Sequence, residues 1–199
     1  KWMKKGSAEI VNVYDFPNLA KGKAIPYGIY EVLKNNGFVN VGISHDTSEF
    51  AVESIRQWWK NIGKKNYKKA KELLICADGG GSNASRSKLW KFYLQKFANK
   101  TGLKITVCHF PPGTSKWNKI EHKMFSFISM NWRGKPLTNY EMIINLIEGT
   151  KTKKGLKIKA KIDKKIYELG KKILEEEFRK INILEHKINP KWNYTISKI

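Results

Sequence analysis

The sequence predicts an α/β protein, a mixed sheet flanked by helices with a small basic α+β extension at the C-terminal side. Three observations predict it. Short β-branched and aromatic runs open the chain, apolar residues at helical spacing then alternate with further apolar runs, and Gly or Pro clusters separate the segments. With 199 residues, 41% of them hydrophobic, there is enough apolar material for one core and a small appendage.

Glu9 to Tyr14, Ile25 to Val32 and Phe38 to Ile43 read as strands, divided by Pro17-Asn18 and Asn35-Asn36-Gly37. Val52, Ile55, Trp58, Trp59 and Ile62 then recur at helical spacing up to Gly63, with Asp46 as the expected N-cap and Glu49 completing a capping box. Leu73 to Ala77 is a continuous apolar run, as in a strand buried on both faces, and it stops at Asp78-Gly79-Gly80-Gly81. Leu89, Trp90, Tyr93, Leu94 and Phe97 predict a second helix closed by Gly102. Lys104 to Phe110 predicts another strand, broken by Pro111-Pro112-Gly113, after which Ser115 can cap a third helix bearing Trp117, Ile120, Met124, Phe127 and Ile128. Strands followed by alternating helices and strands feed parallel neighbours into a mixed sheet. A ribonuclease H-like fold has this order, and residues 1–136 are expected to form it.

Beyond Arg133-Gly134-Lys135-Pro136 the pattern changes, and residues 137–199 read as a basic extension. A helix is expected from about Asn139 to Ile147, a strand over Lys157 to Ile162 and a helix from Lys164 to about Ile181. Strict alternation in Lys157-Ile158-Lys159-Ala160-Lys161-Ile162 sets three lysines on one face. That face is either a solvated edge guarded against aggregation or a stripe turned to phosphates.

The 39 Lys and Arg against 17 Asp and Glu leave a net charge of +22, which points to a polyanionic partner, nucleic acid first. Only Arg56, Arg86, Arg133 and Arg179 are arginines, and the abundance of Lys, Asn and Ile is what an AT-rich genome encodes, so part of the charge reflects codon usage. No apolar run approaches the roughly 18 residues of a membrane span, and no signal peptide follows Lys1, so a cytosolic protein is expected. Cys76 and Cys108 lie in apolar runs without metal-ligand spacing and read as reduced core residues.

Asp78 is the most informative residue. It ends an apolar strand and opens a glycine loop, where a carboxylate is held rigidly while bare backbone leaves room for a phosphate or metal; a plain turn aspartate is the alternative. Glu121, beside Ile120, Trp117 and Met124, is expected to face the sheet rather than water. In a ribonuclease H-like order the two carboxylates meet at one sheet edge, where they can share two divalent cations. Mg2+, or Mn2+, suits such oxygen ligands. Around them Arg86, Lys116, Lys119 and Arg133 are candidates for phosphate contacts. Trp117 and Trp132 either stack on bases or fill the core, and His109 and His122 either orient a reacting oxygen or act as structural hydrogen-bonders. No GxSxG, Walker, HExxH or dinucleotide fingerprint occurs.

Ala77-Asp78-Gly79-Gly80-Gly81-Ser82-Asn83 and the run from His109-Phe110-Pro111-Pro112-Gly113 through Thr114-Ser115-Lys116-Trp117-Asn118-Lys119-Ile120-Glu121-His122 resemble the DDE domain of Rhodopirellula-type insertion-sequence transposases. The Pro-Pro, Asn and Ile-Glu pattern is also similar to the last catalytic block of mariner-like transposases. The resemblance extends through His45-Asp46-Thr47, Asn131-Trp132-Arg133-Gly134-Lys135-Pro136-Leu137 and Lys191-Trp192-Asn193-Tyr194-Thr195-Ile196, and so covers nearly the whole chain. It implies metal-dependent cutting and joining of DNA at transposon ends, with Asp78 as the second catalytic acid and Glu121 as the third. It also implies a homo-oligomer in the synaptic complex, and a cytoplasmic, nucleoid-associated protein of a bacterium or archaeon. The family's first acid lies in an Asp-Thr-Lys-Lys-Lys-Glu motif that does not occur between Lys1 and Ile199, so the chain is expected to lack its N-terminal strand. Two rival readings follow: a truncated, inactive DNA-binding relic, or a nuclease using Asp15 or Asp46, although a strand-to-turn position and a helix cap also account for those two residues.

Overall fold

The computed structural model describes residues 22–199; the strand expected over Glu9 to Tyr14, and Asp15, lie outside the described residues. In chain order the first elements are β1 (Ile25–Glu31), β2 (Asn36–Gly42), α1 (Ser48–Trp58), α2 (Lys64–Asn66), β3 (Glu72–Ala77), α3 (Lys88–Thr101) and β4 (Lys104–His109). They are followed by α4 (Ser126–Trp132), α5 (Tyr140–Glu148), β5 (Lys157–Asp163), α6 (Glu175–Arg179), β6 (Ile183–Glu185) and β7 (Asn193–Ile196). The architecture is mixed α/β, with the described strands in two mixed sheets, one of order β1-β2-β5 and one of order β3-β4-β7-β6. These belong to two compact units. One comprises the described residues through Ser44 with Lys119–Ile166, the other His45–Asn118 with Tyr167–Ile199. Residues 137–199 therefore supply β5 to the first sheet and β6 and β7 to the second.

In the first unit β1 and β2 form a hairpin through Asn35, whose φ of 51 is tolerated because its amide bonds both flanks: Tyr30 Oη donates to Oδ1 and Nδ2 donates to the Lys154 carbonyl, each at 2.8 Å. β2 then runs parallel to β5, from Asn36 opposite Lys157 to Gly42 opposite Asp163. Val39, Val41 and Ile158 meet Met124, Ile128, Ile143, Ile147 and Leu156 in one apolar cluster. The expected helix at Ser115 is displaced. Ser115 opens only a 3-10 turn, Ser115–Trp117, and a wide π turn at Glu121–Phe125 precedes α4. That turn carries Met124 inward and leaves Glu121 exposed, contrary to the expectation that it faces the sheet.

In the second unit β3 and β4 run parallel and in register from Glu72 opposite Lys104 to Ala77 opposite His109, with α3 as their connection. β7 pairs antiparallel with β4 on one side and with β6 on the other. Gly102 ends α3 as expected, at φ 73, its N–H donating to the Ala98 carbonyl at 2.8 Å.

Three expectations for this unit need correcting. β3 is an edge strand among the described residues and its side chains alternate, so Leu74 is 63% exposed; Cys76 is exposed and Cys108 half-buried rather than core. A uniformly apolar run does not reveal which face of a strand is covered. Thr47, not Asp46, caps α1, accepting from Phe50 N at 3.2 Å, and Glu49 is drawn instead to Tyr93 and Lys171. The helix expected from Lys164 to Ile181 shrinks to α6, because Gly170 turns left-handed at φ 73 and Tyr167 is buried edge-on against Phe50. The first helix ends near Gly63 as expected, widening into a π turn at Trp59–Gly63 and closing with the short α2. Among the described residues no helix is long and apolar enough to cross a membrane.

Candidate functional site

Asp78 follows the last residue of β3, where Phe110 N donates to the Ala77 carbonyl at 2.8 Å and the strand hands over to the glycine loop. The side chain is exposed but not loose. Asn83, buried in the 3-10 turn Gly81–Asn83, donates from Nδ2 to Asp78 Oδ1 at 2.7 Å and approaches the Asp78 carbonyl at 3.1 Å. Oδ2 accepts no hydrogen bond among the described residues. The loop can close on Asp78 because Gly81 adopts φ 61, a conformation that L side chains rarely take. Ser48 secures its far side, its hydroxyl donating to the Ser82 carbonyl at 2.6 Å and meeting Ser87 Oγ at 2.9 Å. Ser87 in turn caps α3.

Beneath the loop lies a buried polar chain. His109 Nδ1 is 3.1 Å from the Asp78 carbonyl, His109 Nε2 is 3.1 Å from Tyr194 Oη, and Trp90 Nε1 donates to Tyr194 Oη at 2.8 Å. Indole N–H only donates and a carbonyl only accepts, so the tyrosine proton goes to Nε2 and the Nδ1 proton to Asp78. One neutral tautomer of His109 satisfies every partner. Burial pushes the His109 pKa down, Lys91 adds to this, and the bond to the Asp78 carbonyl opposes it. Burial also pushes the Tyr194 hydroxyl well up. His109 is thus the structural hydrogen-bonder of its two readings, and the backbone of Asp78 is what it holds.

Beside the loop runs a groove lined by Asp46, Thr47, Gly81, Ser82, Tyr93 and Lys171, among others. Glu49 sits at its wall, accepting from Tyr93 Oη and Lys171 Nζ at 2.9 Å each. Burial and this carboxylate push Tyr93 up to about 12.

Of the residues singled out from sequence, Asp78, Arg86, Lys116 and Trp117 belong to this unit, whereas Lys119, Glu121 and Arg133 belong to the other. All seven are exposed; Trp117, at 55%, is surface rather than core, while Trp132 packs against the apolar cluster. The Glu121 carboxylate makes no hydrogen bond or ion pair among the described residues. Both nitrogens of His109 are occupied, so oxygen donors remain for a cation at Asp78, a hard set that fits Mg2+ or Mn2+. No group of three or more His, Cys, Asp or Glu able to hold a metal is present among the described residues. Sequence reasoning missed Asn83, Tyr194 and Trp90 as supports of Asp78, although Asn83 and Tyr194 both stand in the segments that carry the family resemblance.

The model of one protein family, described as the Rhodopirellula transposase DDE domain, matches residues 1–198. No curated protein and no solved structure matches the chain.

Proposed function

We propose that this chain, which belongs to the Rhodopirellula transposase DDE domain family, cleaves DNA at transposon ends and transfers the freed strand, with Asp78 and Glu121 as its carboxylate ligands for two divalent cations. The observation that carries this reading is the treatment of Asp78: a carboxylate exposed at a strand end, with one oxygen fixed by Asn83, the other open, and its carbonyl anchored from below by His109. A turn aspartate needs no such support. Divalent cations bound there would stabilise the charge that develops when an oxygen attacks phosphorus.

The chain's own residues set up the rest. Asn83 and His109 hold Asp78 in one position, so that no reorientation is needed when DNA arrives. Glu121 offers an unengaged carboxylate at the start of a helical turn. Exposed Arg86, Lys116, Lys119 and Arg133 are suited to grip phosphates, and Trp117 to stack on an unpaired or flanking base. The ribonuclease H-like reading is supported by the β3-α3-β4 unit, which delivers Asp78 at the C-terminal end of a parallel strand.

The test is metal-dependent nicking by the full-length protein on a DNA carrying the transposon end. Asp78→Asn and Glu121→Gln should each abolish nicking while a gel shift shows DNA still bound. Cleavage retained in either variant overturns the assignment of that carboxylate.

A further inference from the structure

We infer that Cys76 and Cys108 form a redox site, a pair of thiols that hydrogen peroxide joins into a reversible disulfide between β3 and β4. The site is independent of the metal and DNA chemistry proposed above. The sequence contains two cysteines, far apart along the chain. The fold brings them together, because in the parallel register of β3 and β4 Cys76 stands directly opposite Cys108.

Register partners in a sheet share a face, and a salt bridge on the same two strands marks which one. Four residues earlier Glu72 stands opposite Lys104, and Lys104 Nζ reaches Glu72 Oε1 at 3.3 Å. Alternation carries that face through Leu74 and Thr106 to the two cysteines. It is the open face. Glu72, Leu74 and Cys76 are exposed, whereas the alternate residues of β4, Ile105, Val107 and His109, are buried. Two small apolar residues filling a core would lie on the other side.

The separation suits a disulfide. Neighbouring strands lie about 4.8 Å apart, inside the span of about 4.4 to 6.8 Å found between the Cα atoms of bonded cysteines. Cβ atoms on a shared face keep roughly the strand spacing, wider than the ~3.8 Å of a relaxed disulfide, so closure draws the two strand ends together. β3 can yield, being an edge strand among the described residues. A bond closed under strain at an exposed position is one that small thiols reopen. It clamps β3 to β4 where the one leads into Asp78 and the other ends at His109.

Exposure sets the order of events, and Cys76 meets the oxidant first. Its sulfur attacks one oxygen of the peroxide, the O–O bond breaks, and a sulfenic acid and water result. The Cys108 sulfur then attacks the Cys76 sulfur, the S–O bond breaks, and a second water leaves. Two thiols and one peroxide thus give one disulfide and two waters, the thiols losing the two electrons that the peroxide gains.

The experiment exposes the full-length protein to hydrogen peroxide in metal-free buffer, blocks remaining thiols with N-ethylmaleimide and maps unreduced tryptic peptides by mass spectrometry. Cleavage after Lys71, Arg86, Lys104 and Lys116 puts Cys76 in the peptide Glu72–Arg86 and Cys108 in Ile105–Lys116. These two peptides should appear cross-linked, from a band of single-chain mass on a non-reducing gel, and dithiothreitol should return both as thiols. In Cys108→Ser the sulfenic acid on Cys76 should persist and be captured by dimedone. In Cys76→Ser, Cys108 should remain open to maleimide at a dose that converts the wild type. Both cysteines still labelled by maleimide in wild type, Cys76 carried on to sulfinic acid with Cys108 intact, or a cross-link between two chains each overturns the pairing. The wild-type map decides this by itself, whether or not a serine variant folds.

Discussion

Tyr194 Oη and His109 Nε2 lie 3.1 Å apart, 85 residues distant in the chain, and through this contact strand β7 supports the residue that ends β4 and the aspartate that follows β3. Tyr194 has no exposed surface, and neither has Trp90, which donates to its hydroxyl. Neither can turn to water if the chain is broken.

Tyr194→Phe keeps the ring and removes the oxygen, leaving the Trp90 Nε1 donor and the His109 Nε2 acceptor buried without a partner. The expected loss is about 1–3 kcal/mol for each group stranded, read from urea denaturation. A loss below about 0.5 kcal/mol would show that the three side chains are not coupled as described.

The pH dependence of stability follows from His109. Its folded pKa is held below the ordinary value near 6.5, chiefly by burial, so the unfolded chain binds the proton first as pH falls. The neutral side chain's contribution is therefore complete above about pH 6.5 and declines below it. In metal-free buffer the urea midpoint of wild type should fall more steeply between about pH 7 and about pH 5 than that of His109→Gln. Parallel profiles would mean that His109 carries no such linkage.

Close approach, rather than backbone strain, governs Gly28. A Cβ there would stand 2.6 Å from Phe125 Cζ and 2.7 Å from Met124 Cε, so Gly28→Ala must push the π turn off β1. The expected cost is about 1–3 kcal/mol. Gly80→Ala meets nothing within 4 Å, at an ordinary φ of −113, and should stay within about 0.5 kcal/mol of wild type. The pair separates packing from loop flexibility in one thermal-denaturation series.

Local signals in the sequence were legible where local physics decides. Gly102 closes α3, the helix expected from about Asn139 to Ile147 forms as α5, and the Lys-Ile alternation forms β5, each as read from spacing and turn chemistry alone. Position within a sheet is not a local property: Leu73 to Ala77 has the composition of a covered strand, yet among the described residues it lies at an edge, with Leu74 exposed. The π turn that exposes Glu121 leaves no mark on a helical pattern read at a fixed period. Asp78 could be singled out because three glycines follow it. Its supports could not, because Tyr194 reaches it only through a histidine contributed by another strand.

The order in which the ribosome releases these strands has its own meaning. β2 cannot close on β5 until residues as far apart as Asn40 and Asp163, 123 positions, have both emerged, and β4 waits longer still for Asn193–Ile196. Every segment of the first unit is made by Ile166, whereas the second is completed only by Tyr167–Ile199. A nascent chain halted before Tyr194 can carry the whole glycine loop and still lack the hydroxyl beneath it. Asp78 acquires its full support only in a product translated through β7, so the fold delays the finished site until synthesis of that strand is done.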